Sequence, residues 1–233
     1  MKKRLIIAMT YLSLALIVNG QQDHKPDSIM PNKKAVNAFG EVSKLLAKNA
    51  NYPVDQLGPN VSGSEGDVIL SLVIRKSGKS DSLTIVSSVG KSFSTSALVA
   101  FSKLPDEWKP AIINNEPVDK RYLIVFRFRK YLDTQPYDHK GKIAQLLSRE
   151  KYKEALKQLN RAINDNKYDS ELFDSRSRVR QILGDVEGAT ADKLASIRLS
   201  EEILSLVEVR VMGISTTKKV MIGTTTTTTR RVY

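Results

Sequence analysis

Residues 104–131, with the sequence LPDEWKPAIINNEPVDKRYLIVFRFRKY, contain the only tryptophan of the chain and its longest strand-like run. Trp108 precedes Asn114 and Asn115, a favourable turn pair because asparagine tolerates left-handed backbone dihedrals. Beyond the turn, residues alternate between two sets. The first set is apolar or aromatic and consists of Tyr122, Ile124, Phe126 and Phe128. The second set begins apolar and becomes charged, and consists of Leu123, Val125, Arg127 and Arg129. This alternation predicts a strand with one face packed on helices, entered through a tryptophan-anchored hairpin.

The residues upstream predict the other elements of a small α+β domain over residues 33–133. Apolar residues recur at three- and four-residue steps from Lys33 to residue 49, which predicts a helix that ends before Pro53. Residues 66–75 and 83–86 are typical of two strands, and residues 92–104 return to helical spacing. The simplest way to bury these apolar stripes is a small antiparallel sheet with helices on one face.

Composition limits the classes of function. With 233 residues, 41% of them hydrophobic, the chain can bury the core of one large or two small domains. The formal charge is +12, but the basic residues are spread out and form no Arg/Lys cluster with interleaved aromatics. We therefore expect a solvated basic surface and no nucleic-acid partner. The absence of cysteine excludes disulfides, thiol catalysis and thiolate metal sites.

The N-terminus has the layout of a signal peptide over residues 1–20. The basic MKKR precedes an apolar stretch at 5–18 that is too short to span a bilayer comfortably, and cleavage is expected near residues 20–21. The alternative is an uncleaved membrane anchor. In either case the remainder works outside the cytoplasm, and a chain without cysteine suits the bacterial envelope. Residues 21–32 are predicted to be a linker.

Several short motifs occur in a fixed order between about residues 50 and 130. They are YP at 52–53, GDV at 66–68, VIRKSGK at 73–79, SSVG at 87–90, LP at 104–105, WKPA at 108–111, PV at 117–118 and the strand at 122–128. This ordered set resembles the C-terminal domain of TonB-type energy transducers. The resemblance implies a helix-on-sheet fold that recognises peptides, often by pairing with an exposed strand.

The candidate peptide-binding residues follow from this resemblance and from the strand pattern: Tyr52, Pro53, Trp108, Tyr122, Ile124 and Phe126. In the family the Tyr-Pro region lies near the partner-binding surface, and Tyr52 is expected to be exposed because it precedes proline in a loop. Trp108 has two interpretations, a core anchor under the hairpin or a wall of a peptide groove. The strand at 122–128 is expected to offer its edge to a partner strand.

Residues 137–204 predict an all-α domain of helical hairpins. Tyr152-x-x-Ala155 and the segment 183–192 resemble tetratricopeptide repeats. Because two repeats are fewer than a stable array needs, we expect them to lean on the β-domain or on the tail. The rival interpretation is a plain helical cap. Residues 205–233 are expected to be a low-complexity, disordered or partner-dependent tail, since six consecutive threonines lie near the terminus, although residues 207–211 alternate like a strand.

The sequence offers no pattern for catalysis. His24 and His139 lie in polar, loop-like contexts without clustered ligand spacing, so neither a metal nor a cofactor is expected. Asp106 and Glu107 are adjacent and diverge on any regular element, unlike the paired carboxylates of a glycosidase. There is no Gly-x-Ser-x-Gly elbow and no phosphate-binding loop. The chain is predicted not to be an enzyme.

Together these observations predict a non-catalytic exported envelope protein, located in the periplasm, that binds a protein or peptide partner through a TonB-like domain and a short repeat-type helical domain. One alternative is a TonB-type energy transducer subunit that couples the inner membrane to outer-membrane transporters, with membrane contact only if the N-terminal segment is uncleaved. Only about a dozen residues, or some tens of ångströms at ~3.5 Å each, would then bridge the periplasm. The other alternative is a basic cell-wall-binding accessory protein.

Overall fold

The computed structural model describes residues 32–57, 65–131, 135–212, 215–222 and 225–231, the last two ranges by backbone only. The signal segment predicted at 1–20 and all but one residue of the predicted linker lie outside these ranges. Among the helices described, none is both long enough and apolar enough to cross a membrane.

The chain alternates between an α/β part, a helical part and a second set of strands. The helices are α1 (Val42–Asn49), α2 (Lys91–Ser102), α3 (His139–Leu147), α4 (Tyr152–Asp165), α5 (Ser170–Ile182) and α6 (Val186–Glu202). The strands are β1 (Val36–Asn37), β2 (Gly66–Ile74), β3 (Ser80–Ser87), β4 (Trp108–Lys109), β5 (Ala111–Ile113), β6 (Glu116–Val118), β7 (Lys120–Tyr131), β8 (Ile203–Met212), β9 (Ser215–Ile222) and β10 (Thr225–Arg231).

Six of these strands form one sheet in the order β10-β9-β8-β7-β2-β3. All neighbours are antiparallel except β7 and β8, which run parallel. The hairpin β5–β6 turns at Asn114 and Asn115, whose φ angles are 51° and 66°, so the predicted asparagine turn is confirmed. The short strands β1 and β4 pair with each other beside the sheet.

The first face of the sheet packs on α1 and α2 and contains the larger core. Alternate residues of the central strands point into it, and helix α2 contributes Phe93, Ala97 and Ala100 at helical spacing. The strand side chains in this core are Val68, Leu70, Leu72, Ile74, Tyr122, Ile124, Phe126, Phe128, Val207, Val209 and Val211. The predicted antiparallel sheet with a helix-packed face is therefore present.

The second face of the sheet is also covered, which differs from the predicted helices on one face. Helix α6 contacts β7 and β8, and a small core joins Val125, Ile203 and Leu206 to Tyr168 and Leu199. Parallel neighbours need a crossover connection. Helices α3 to α6 form that crossover, so the helical part lies between two adjacent strands of the sheet and does not simply follow it.

Helices α3 to α6 contact one another consecutively, as two hairpins would. Their apolar core contains Ile143, Ala155, Leu159, Ala162, Ile163, Leu172 and Val179. This arrangement is compatible with tetratricopeptide-like repeats, but four stacked helices do not identify them. The repeat assignment stays a prediction.

Residues 203–212 are a central strand, in contrast to the predicted disordered tail. The alternating Val207, Val209 and Val211 are buried against α1, while Leu206 and Glu208 face the helical crossover. The backbone continues through β9 to β10, so the threonine run is paired with β9. The period-two alternation at residues 207–211 was therefore the correct signal for this strand.

A buried ion cluster joins the second face of the sheet to the helices. The guanidinium of Arg127 on β7 has a side-chain exposure of 2%, and its Nη1 lies 2.7 Å from Oε2 of Glu208 on β8. Its Nη2 donates to the carbonyl oxygen of Asp165 at the end of α4, and Arg210 contacts the other oxygen of Glu208. Because each charge would be costly to bury alone, the cluster fixes β7, β8 and α4 together.

Candidate functional site

The strand β3 forms one edge of the six-stranded sheet and is exposed along its length. In the described part of the chain it pairs with β2 alone, so its other side carries unpaired backbone groups. Leu83, Ile85 and Val86 project from this strand into solvent, and 59% of Val86 is exposed. An exposed apolar edge of this kind is a template for another strand. We call residues 83–89 the β3 edge surface; it includes the exposed Val89.

Both ends of β3 are fixed. At the start, the N–H of Ser80 donates to Oδ1 of Asp106 over 2.8 Å, and the Ser80 hydroxyl donates to the same oxygen over 2.6 Å. At the other end, the hydroxyl of Ser94 in α2 lies 2.6 Å from that of Ser88. The β3 edge surface is therefore held at both ends and is already formed in the free protein.

Irregularities restrict which part of β3 can pair. The register with β2 shifts between Ile69 and Leu70 and again between Ser71 and Val73, and Ser82 has a φ of 54°. Bulges of this kind twist an edge and limit unspecific pairing. Asp81 next to the second shift is bound by Arg75, whose hydrogen bond holds the pKa of that carboxyl below its usual value. The two shifts fall opposite residues 85–87 and 81–84 of β3, so Thr84 and Ile85 keep regular pairing with β2 between them.

A groove of about 460 Å³ lies between the loop 51–55 and helix α2. Its apolar walls include Val54, which is 81% exposed, and Val99. The loop is tied to α2 because the hydroxyl of Ser92 donates to Oδ2 of Asp55 over 2.6 Å, a bond that lowers the pKa of Asp55. Lys91 and Ser92 at the start of α2 line the groove, and in sequence only Gly90 separates them from the β3 edge surface.

Tyr52 does not line the surface as expected from its loop position. Only 4% of it is exposed, and its ring makes edge contacts with Phe93 at 5.7 Å and Phe128 at 5.9 Å between centroids. Pro53 is buried as well. Both residues line the groove, but the tyrosine ring packs against core aromatics, so an aromatic contact inside the core outweighed the preference of a loop for the surface.

Trp108 belongs to the core, in agreement with the first of its two interpretations. Its indole is buried under the hairpin, and Nε1 donates to Oδ1 of Asp106 over 3.0 Å. Burial acts to raise the pKa of Asp106, but the hydrogen bonds from Ser80 and Trp108 lower it below its usual value. Asp106 therefore serves as a fixed acceptor that joins the start of β3 to the tryptophan, and neither residue opens into a groove.

Tyr122, Ile124 and Phe126 are fully buried, and β7 is not an edge. The expectation that residues 122–128 offer an edge to a partner fails because β8 occupies the outer side of β7. The sequence did place a strand at 83–86, within the true edge, but nothing in its local pattern shows that it lacks a second neighbour. No group of three or more potential His, Asp or Glu metal ligands occurs in the described ranges.

Comparison with known proteins supports the resemblance over part of the chain. The family model described as Gram-negative bacterial TonB protein C-terminal matches residues 60–129. This span contains β2, β3, α2 and the hairpin, and it ends within β7. The helical crossover and the strands β8 to β10 lie beyond it. No curated protein and no solved structure matches the chain.

Proposed function

We propose that this protein is a non-catalytic module of the bacterial envelope that binds an extended segment of a partner protein along β3. The observation that carries the proposal is the β3 edge surface, where unpaired backbone groups and exposed apolar side chains occur together. In strand addition, main-chain hydrogen bonds supply affinity, and pockets for alternate side chains supply selectivity. Such binding needs neither a cofactor nor a reactive side chain.

Two features define the partner that this surface would accept. An added strand would place alternate side chains beside Leu83 and Ile85, so apolar residues at every second position would be favoured. The groove beside Val54 and Val99 would accept a further apolar side chain beyond the end of β3. The partner is therefore a linear, partly apolar segment, such as a terminal or periplasm-facing stretch of an envelope protein.

The family match supports a second candidate, an energy transducer that contacts outer-membrane transporters. The two candidates differ in the fate of residues 5–18, which are cleaved in an exported binding protein and retained in a transducer. N-terminal sequencing of the protein from the envelope distinguishes them, since an intact Met1 would exclude the cleaved form. The tetratricopeptide-like part is proposed as a support or a second docking surface in either case.

Selection of binders from a library of linear peptides, followed by hydrogen exchange of the complex, tests the proposal. A selected peptide should slow the exchange of backbone amides within β3, because strand addition pairs them. Val86→Asp should weaken binding at least tenfold. Val36→Asp, which places the same charge at an exposed site on β1, should leave binding unchanged. Peptides that bind equally well to Val86→Asp, or that protect no amide of β3, would refute strand addition.

A further inference from the structure

A partly open cavity of about 350 Å³ lies where the helical crossover meets the α/β part. Three segments form its walls: residues within 34–43, residues 168–171 at the start of α5, and residues within 199–206 at the junction of α6 and β8. Its volume is at the lower end of the range for small-molecule sites. None of the residues that line it belongs to the β3 edge surface or to the groove beside α2.

The ammonium group of Lys34 lies at this cavity without a counter-ion in the described part of the chain. Its Nζ donates to two carbonyl oxygens at the end of α6, that of Ser200 over 3.1 Å and that of Ile203. An ammonium has three N–H donors, so one remains unused. Burial and the positive charge of Lys120 on β7 lower the pKa of Lys34 to about 8, because the surroundings disfavour its charge. An anion beside this nitrogen would reverse that effect.

The carboxylates that line the cavity are held by other cations. Oε2 of Glu41 lies 3.4 Å from Nζ of Lys44. Asp169 and Glu171 lie 3.0 Å and 2.7 Å from the single ammonium of Lys140. These acids are already paired, so the ammonium at the cavity needs its counter-ion from elsewhere.

Ser205 on β8 is a second polar group at the cavity whose hydrogen bonding is incomplete. The residue is 5% exposed, and its hydroxyl has no hydrogen-bond partner among the described residues. A buried hydroxyl without a partner is destabilising, and rotation about its Cα–Cβ bond would turn it towards a ligand. Ser205 is two residues from Ile203, whose carbonyl oxygen binds Lys34. Apolar side chains complete the walls: Tyr168, Leu199, Leu204 and Leu206.

We propose that this cavity binds a small organic acid, with the carboxylate between Lys34 and Ser205 and the apolar body against the leucines. A carboxylate accepts hydrogen bonds through both oxygens, so one can bind the unused N–H of Lys34 and the other the hydroxyl of Ser205. The acid supplies the missing counter-ion and satisfies the buried hydroxyl at the same time. Because the walls come from both parts of the protein, a bound acid also strengthens the attachment of the helical crossover.

Matched pairs of a carboxylic acid and its amide test the proposal with protein purified from the expressing cells. The probes are hexanoate with hexanamide and benzoate with benzamide, because each pair keeps the shape of the ligand and changes its charge. Ligand-detected NMR measures binding, and thermal unfolding measures stabilisation. At least one acid should bind and raise the unfolding temperature as the site fills, and its amide should bind at least tenfold more weakly.

Three variants locate the site. Lys34→Met should abolish the preference for the acid, whereas Lys103→Met, which removes the same charge at an exposed position just after α2, should leave it unchanged. Ser205→Ala should weaken the acid at least threefold without destabilising the free protein, since its hydroxyl has no partner to lose among the described residues. That separation of affinity from stability would not follow from a purely structural role.

Circular dichroism checks that each variant is folded; if Lys34→Met does not fold, Ser205→Ala decides. Val86→Asp should leave binding of the acid unchanged, so the result is independent of strand addition at β3. The proposal is overturned if neither acid binds at up to about 10 mM, or if each acid and its amide bind equally. An acid preference that persists in Lys34→Met, or full affinity in Ser205→Ala, also overturns it.

Discussion

The buried pair of Arg127 and Glu208 gives the sharpest test of how the helical crossover is attached to the sheet. Replacing Arg127 with methionine keeps the length and most of the packing of the side chain, but it removes the charge that faces Glu208. The carboxylate of Glu208 has a side-chain exposure of 3% and would lose its 2.7 Å partner. The bond from Arg127 to the carbonyl of Asp165 at the end of α4 would be lost as well.

The expected cost follows from these contacts. Breaking a buried ion pair by removing one partner costs about 3–5 kcal/mol, because the other charge is left uncompensated. Here Arg210 still contacts Glu208, so we expect a loss of about 2–4 kcal/mol in the free energy of unfolding. Replacing both partners, as Arg127→Met with Glu208→Leu, should restore stability to within about 1–2 kcal/mol, since the two most deeply buried charges are removed together and only Arg210, whose side chain is 16% exposed, then loses a partner.

Urea unfolding measures both changes, and the chain provides its own probe. Trp108 is the only tryptophan, and it is buried in the α/β part, while circular dichroism reports mainly the helices. If the cluster joins the two parts, both signals should change together in the wild type and separate in Arg127→Met. Arg75→Met, at an exposed ion pair, is the matched control and should have little effect. A loss below about 1 kcal/mol in Arg127→Met, or a double variant as unstable as the sum of the singles, would refute the reasoning.

Two further predictions concern the backbone and pH. Gly78 and Gly184 have φ angles of 80° and 85°, but a Cβ at Gly78 would lie 2.7 Å from the carbonyl oxygen of Trp108, while at Gly184 it would meet nothing. Gly78→Ala should therefore cost about 1–2 kcal/mol more than Gly184→Ala in thermal or urea unfolding, and equal costs would contradict the contact. Burial, with the nearby charge of Lys120, lowers the pKa of Lys34 from 10.5 to about 8, so the folded state binds the proton less tightly than the unfolded state. The free energy of unfolding of the wild type, measured relative to that of Lys34→Met, should rise by at most about 3 kcal/mol between pH 8 and pH 10.5. A difference in unfolding free energy that does not change with pH would exclude the pKa shift.

Local patterns were sufficient for most elements of the fold. The alternation after the asparagine turn predicted β7, and the stop before Pro53 predicted where α1 ends. The predicted start of that helix at Lys33 was wrong, because Val36 and Asn37 form β1 and α1 begins at Val42. The turn itself formed where two asparagines tolerate positive φ angles. These features depend on neighbours in the sequence, so the sequence expresses them directly.

The candidate site could not be predicted in the same way. A strand is an edge strand when no other strand pairs with its second side, and its own residues do not show this. β7 would be an edge strand if β8 did not pair with it. The two strands are distant in sequence, since Arg127 on β7 and its partner Glu208 on β8 are 81 positions apart. The pattern indicated Arg127 as the charged, outward end of a strand, yet it is buried because Glu208 and α4 surround it. Tyr52 was misplaced for a related reason, since its ring contacts lie on α2 and β7, beyond its own loop.

The parallel pairing of β7 and β8 also bears on how this protein is made. During synthesis β7 is complete long before β8 leaves the ribosome, and the intervening helices have only local contacts to form, so they should fold first. Until β8 is added, β7 is a long apolar strand with one open side, the type of edge that aggregates. A fragment that stops at residue 129, the end of the family match, would keep this open side permanently. We therefore expect such a fragment to be poorly soluble, and a soluble domain to require both β8 and the strand β9 that pairs with the outer side of β8.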